Sequence, residues 1–200
     1  MSAEKNIRFI LGVLLMVCAC MPLFAQGKVD GKINRIELRD QKTPVFSDGQ
    51  HGSRGGGSRW CRIEVEFETK GRSWLNEVEA RWLVMLNTDS LSKPASLSLN
   101  MTYTDVKEGK CYLCAYISPK FFDRYMRGGR IDPSRINVYV ELYANGQRIA
   151  RNDYRGNRKI PDNWYKMTDS MQSLSDYLLP KYKTPFASLD YDYYEYEKQQ

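Results

Sequence analysis

Histidine is almost missing from this chain, with His51 alone among 200 residues. That excludes histidine-rich metal centres and most histidine-dependent acid–base or nucleophilic chemistry. His51 also lies in the glycine–serine run Ser47–Ser58, which reads as a flexible loop. A catalytic base has to be held with its tautomer fixed, so His51 is read as an exposed loop residue. Long apolar runs are scarce too, and only Phe9–Ala25 approaches the length needed to span a membrane. The glycine-rich run lacks the Lys-Ser/Thr that completes a phosphate cradle. There is no alternation of long helices with strands and no repeat of fixed period. What remains is ordinary globular composition, 42% hydrophobic and 27% charged, which argues against disorder and coiled coil.

The N-terminus carries Lys5 and Arg8, then the apolar run, then Leu23-Phe24-Ala25 ahead of Gln26-Gly27. A basic start, a short apolar stretch and a small residue before a polar one describe a secretory signal peptide, with cleavage expected after Ala25. Two alternatives stay open: an uncleaved anchor, and lipidation at Cys20 within Val17-Cys18-Ala19-Cys20. The expected location is therefore the periplasm, the outer membrane or the cell surface. The net charge of +6 is mild, and an exported protein rarely meets nucleic acid, so none is expected as a partner.

Period-two alternation dominates the body. In Trp60–Thr69, Cys61, Ile63, Val65 and Phe67 alternate with Arg62, Glu64, Glu66 and Glu68, the pattern of a half-buried strand. Ser73–Asn87 repeats it with Val78, Ala80, Trp82, Val84 and Leu86 inward. Ala95–Thr104, Gly109–Ser118 and Ile136–Tyr143 do the same, and Lys28–Phe46 reads as an edge strand limited by Pro44. Asn145-Gly146 is hairpin-turn chemistry leading into Gln147–Ala150. Ser118-Pro119 opens a short helix that ends at Gly128-Gly129. Met171, Leu174 and Leu178 fit helical spacing before Pro180. The expected architecture is all-β, an antiparallel sandwich of two sheets with one short crossover helix and a C-terminal appendage. Domain limits are 1–25 for the signal, 26–180 for the sandwich and 181–200 for the tail.

Cys61 and Cys111 share the inward parity of their strands, and a disulfide between them is expected, leaving Cys114 free; three thiols is the alternative. Cys111 and Cys114 form a C-x-x-C, but strand alternation sends them to opposite faces, so no redox pair is expected. Three cysteines and His51 make a poor zinc set, and no metal or cofactor is expected. The acidic rows Glu64/Glu66/Glu68 and Glu77/Glu79 read as solvated strand faces. Fourteen tyrosines are an excess, and tyrosine favours strands and interfaces. In the tail, Tyr191, Tyr193, Tyr194 and Tyr196 interleave with Asp190, Asp192, Glu195 and Glu197. That stretch is the candidate partner-binding segment, able to add a strand to its own edge or a neighbour's. Trp60, Trp74 and Trp164 are candidate stacking platforms for a glycan.

One further likeness rests on particular stretches: Arg62–Thr69, Trp74-Leu75-Asn76-Glu77-Val78 through Leu86-Asn87, Tyr116-Ile117-Ser118-Pro119, and Leu178-Leu179-Pro180 leading to Thr184–Leu189. In these the chain resembles the pilus-like, immunoglobulin-fold exported proteins of Verrucomicrobia, a pilus-associated cell-envelope family related to surface proteins of a mucin-degrading gut bacterium. The resemblance implies an immunoglobulin-like β-sandwich, export, and a place in or beside a type IV pilus-like assembly, with no catalytic residues to carry over. A type IV pilin has a long continuous N-terminal helix, whereas the apolar run here is short and contains Pro22. An accessory envelope component that binds assembly proteins, or itself, is the expectation. A glycan-binding sandwich with mucin-type ligands is the alternative.

Overall fold

Where side chains alternate in the sequence the backbone is extended, and the strands run longer than the pattern implies. A computed structural model describes residues 29–44 and 57–199. The expectations for the signal segment 1–25, for Cys20 and for His51 fall outside the described residues.

The strands are β1 (Asp30–Lys42), β2 (Arg59–Leu86), β3 (Ala95–Ile117), β4 (Ile136–Ala144) and β5 (Gln147–Arg155), followed by the short β6 (Gln172–Ser173), β7 (Leu178–Pro180) and β8 (Tyr196–Glu197). The sole α-helix among the described residues is α1 (Pro119–Tyr125). The two segments read as separate strands before and after Lys70 are one strand, β2. Likewise Ala95–Thr104 and Gly109–Ser118 merge into β3. Each long strand carries an irregularity where the sequence reading places a loop. Pairing between β2 and β3 slips between Thr69 and Trp74, and Gly71 and Gly109 there take positive φ. Inward parity on β2 changes across this break, from Cys61–Phe67 at odd positions to Val78–Leu86 at even ones. Glycine permits the turn of the backbone that a β-bulge needs.

On one side of β2, β1 pairs its first half and β4 its second half, with β5 beyond β4. The other side pairs with β3 along both halves. The sheet curls enough that β1 meets β5 without a ladder between them. Asn152 Nδ2 donates to the Ile33 carbonyl at 3.2 Å, and Ile149 packs on Gly31. The result is an all-β, sandwich-like fold, formed by one curled sheet of eight strands in place of the two separate sheets expected. Its main core is built from both halves of β2 and β3 and closed at one end by Phe121, Phe122 and Tyr125 of α1, with two smaller clusters around Phe186 and Trp164. Trp82, expected inside, is 2% exposed.

Asn145 and Gly146 both have positive φ, the mark of a type I′ turn, so the hairpin expectation holds. The segment Thr168–Leu179 is not a helix: a single 3-10 turn at Thr168–Ser170 gives way to β6 and β7. Its apolar residues are spaced for a helix, but pairing with β3 captures the backbone instead. Ser118 sits at the N-cap of α1, yet its hydroxyl makes no capping bond.

Candidate functional site

The solvent side of β2 and β3 holds an unusual row for an outward strand face: Trp60, Arg62, Glu64, Tyr112, Cys114 and Tyr116. Aromatic and thiol groups there need cover, and the C-terminal segment supplies it. Phe186 stacks on Tyr116 with centroids 4.8 Å apart and meets Trp60 edge-on at 5.8 Å. Tyr194 is buried beside them, and its hydroxyl donates to Glu64 Oε2 at 2.7 Å. Arg62 lies 3.3 Å from the same carboxylate, so the buried charge has two partners. Burial pushes the Tyr194 hydroxyl well above its ordinary pKa, with the Glu64 hydrogen bond adding to it, so it stays protonated as a donor.

The same segment caps the outer edge of β3 piece by piece. β6, β7 and β8 pair with it, the Glu195 amide donates to the Tyr112 carbonyl at 3.0 Å, and the Lys198 amide donates to the Thr102 carbonyl at 2.8 Å. An uncovered edge would be a template for another chain, so this cover limits strand addition at β3. Of the two options for the tail, its own edge is the one occupied.

Three tyrosines of the tail remain at the surface: Tyr191 (59% exposed), Tyr193 (46%) and Tyr196 (46%). Tyr193 stacks on Tyr112 at 4.4 Å, and the rings of Tyr191 and Tyr196 lie 5.4 Å apart, tilted by 56°. Beside them is a cleft of about 370 Å³ lined by Lys181, Ser188, Tyr191, Tyr194, Glu195 and Tyr196. Lys181 is buried; its ammonium donates to the Ala187 carbonyl at 3.0 Å and lies 5.6 Å from the Tyr194 ring centroid. Glu197 holds the backbone there by accepting from the amides of Lys181 and Tyr182. Burial raises the pKa of both Glu195 and Glu197, opposed by the Cys111 thiol at Glu195 and chiefly by backbone amides at Glu197.

Other site expectations need correction. Cys61 and Cys111 point into the core but are not bridged, and Cys61, Cys111 and Cys114 are free thiols. Cys61 stands opposite Ile117, while Cys111 stands opposite Phe67, six residues further along β2. At about 3.3 Å per residue that is roughly 20 Å, far beyond disulfide reach. Parity placed both on one face but carried no information on their separation along it. Of the three tryptophans, Trp60 is buried under Phe186 with its Nε1 donating to Thr43 Oγ1, and Trp164 is wholly buried, donating to Asp153. Neither is a stacking platform: Phe186 covers Trp60, and Trp164 is packed between Met85, Tyr139 and Met171. Trp74 alone is exposed, at 56%. Tyr194 is likewise removed from the partner-binding set, being 6% exposed and spent on Glu64.

Lys181, Phe186 and Tyr112 are site residues that the alternation and composition of the sequence do not mark. The available signal was the outward row itself, whose aromatic character on a supposedly solvated face announces a covering segment.

A protein-family model matches residues 23–200, and the chain belongs to that family. A crystal structure of a protein from Akkermansia muciniphila, of the Verrucomicrobia, is similar in fold: the TM-score is 0.74 at 21% identity, over 88% of this chain and 96% of that one. No curated protein matches the chain.

Proposed function

We propose that this chain is an exported, non-enzymatic protein of the cell envelope, a structural or accessory component beside a type IV pilus-like system that acts through protein–protein contacts. The observation that carries this reading is the exposed tyrosine face of Tyr191, Tyr193 and Tyr196, held in place by the buried anchors Phe186 and Tyr194. Rigid aromatic side chains presented at a surface bind with little loss of rotamer entropy, which is why interfaces are rich in tyrosine. The fold is shared with a protein of Akkermansia muciniphila, and the envelope setting rests on the sequence resemblance. For location, no helix of the described residues is long and apolar enough to cross a membrane. Export rests on the signal-like start of the sequence.

The test is capture from envelope extract with the exported chain, comparing it with a Tyr191→Ser/Tyr193→Ser/Tyr196→Ser variant, with bound proteins identified by mass spectrometry. Recovery of pilus-like assembly proteins, lost in the variant, is the expected result. Equal recovery by both forms, or recovery of no envelope protein, would sink the reading.

A further inference from the structure

The cleft beside Lys181 differs from the open tyrosine face because it is concave and its polar groups are of both kinds. Lys181 donates, Glu195 accepts and Ser188 does either, so hydroxyl groups of a guest find partners in both senses. The backbone around it is already committed, since the amides of Lys181, Tyr182, Glu195 and Lys198 all have acceptors. With these amides taken, side chains carry most of the recognition, which disfavours an added peptide strand. Charge narrows the guest further. An anion would meet Glu195 and Glu197, while a cation would meet Lys181, whose ammonium lies 5.6 Å from the Tyr194 ring centroid and 6.0 Å from that of Tyr191. A neutral polyhydroxylated ring meets neither conflict. It would lay its C–H face on Tyr191 or Tyr196, whose tilted and exposed rings flank the opening. The volume of about 370 Å³ lies at the small end of the range for ligand sites.

We infer that the cleft lined by Lys181, Ser188, Tyr191, Glu195 and Tyr196 is a binding site for a neutral saccharide. The site shares Tyr191 and Tyr196 with the proposed partner face but does not depend on the assembly reading.

The experiment is titration of the exported chain with glucose, galactose, N-acetylglucosamine and their β-linked disaccharides, followed by calorimetry and saturation-transfer NMR. Saturable binding of at least one probe, with Kd on the order of 1 mM, is expected. Tyr191→Ala and Tyr196→Ala, both at exposed positions, should each weaken it about tenfold or more with the circular dichroism unchanged. Trp74→Ala should leave it unchanged. No saturable binding by any probe, or binding that survives both tyrosine variants, overturns the site. Loss of binding in Trp74→Ala alone would move the sugar to Trp74 and overturn it as well. Protein capture lost in the tyrosine variants with no sugar bound would overturn the saccharide site while leaving the assembly reading intact.

Discussion

Tyr194 and Glu64, 130 residues apart in sequence, are joined by a 2.7 Å hydrogen bond, and both are buried. The bond ties the C-terminal segment to the middle of β2 and gives a buried carboxylate a neutral donor besides Arg62. Removing the hydroxyl in Tyr194→Phe keeps the ring but leaves Glu64 short of a partner. The expected cost is about 1.5–3 kcal/mol, the range for hydrogen bonds to charged groups. Urea unfolding checks it, and a loss under about 0.5 kcal/mol would mean that Arg62 alone satisfies the carboxylate.

The three described thiols should be unreactive in the native chain. Burial pushes Cys61 and Cys111 up to about 12 and raises Cys114 further, so almost no thiolate is present at neutral pH. Ellman's reagent should therefore titrate all three only after denaturation, without prior reduction. Two missing thiols in the denatured, unreduced protein would restore a disulfide.

Two glycines should respond differently to alanine. At Gly146 an added Cβ meets nothing within 4 Å, so Gly146→Ala suffers only from the positive φ of 73°, about 1–2 kcal/mol. At Gly156 the same atom would lie 1.9 Å from the Pro133 carbonyl oxygen and 2.5 Å from that of Ile136. Gly156→Ala has to displace backbone, and its loss in thermal unfolding should clearly exceed that of Gly146→Ala. Equal losses would show that the Pro133–Arg135 turn yields freely.

Acidity should tighten the tail. Glu195 and Glu197 have pKa values raised by burial above the ordinary 4.5, so the docked tail binds their protons more strongly than the undocked one. Their contribution is fully present below about 4.5 and is lost as pH rises through the raised values. The backbone amides of Tyr182 and Lys181, and more weakly the Lys181 charge, moderate this at Glu197, as the Cys111 thiol does at Glu195. Glu37, Asp89, Asp132 and Glu141, whose values are lowered by hydrogen bonds, contribute stability that is fully present above the ordinary carboxylate range and is lost only as pH falls below it, so they do not change between about pH 5 and 7. Hydrogen exchange at the Glu195 and Lys198 amides, corrected for intrinsic rate, should be slower at about pH 5 than at about pH 7. Faster corrected exchange at the lower pH would contradict the direction.

Much of this fold was legible from residue order alone, because period-two alternation is a local property. Cys61–Phe67, Val78–Leu86 and Leu113–Ile117 turn their apolar members inward as the pattern requires, and Asn145-Gly146 makes the turn its chemistry demands. Local pattern also showed the aromatic row on the outer face of β2 and β3. It could not show that Gly71 and Gly109 bend continuous strands instead of ending them, since a bulge and a loop share the same residues. Nor could it place Cys61 and Cys111 along a shared face, because parity repeats every two residues and carries no distance. Tertiary packing alone decided the fate of the aromatics. Trp60, Trp164 and Tyr194 are buried by segments distant in sequence, while Trp74, Tyr191, Tyr193 and Tyr196 stay in solvent. Side-chain chemistry says what an aromatic can do, but only the path of the rest of the chain decides whether a partner can reach it.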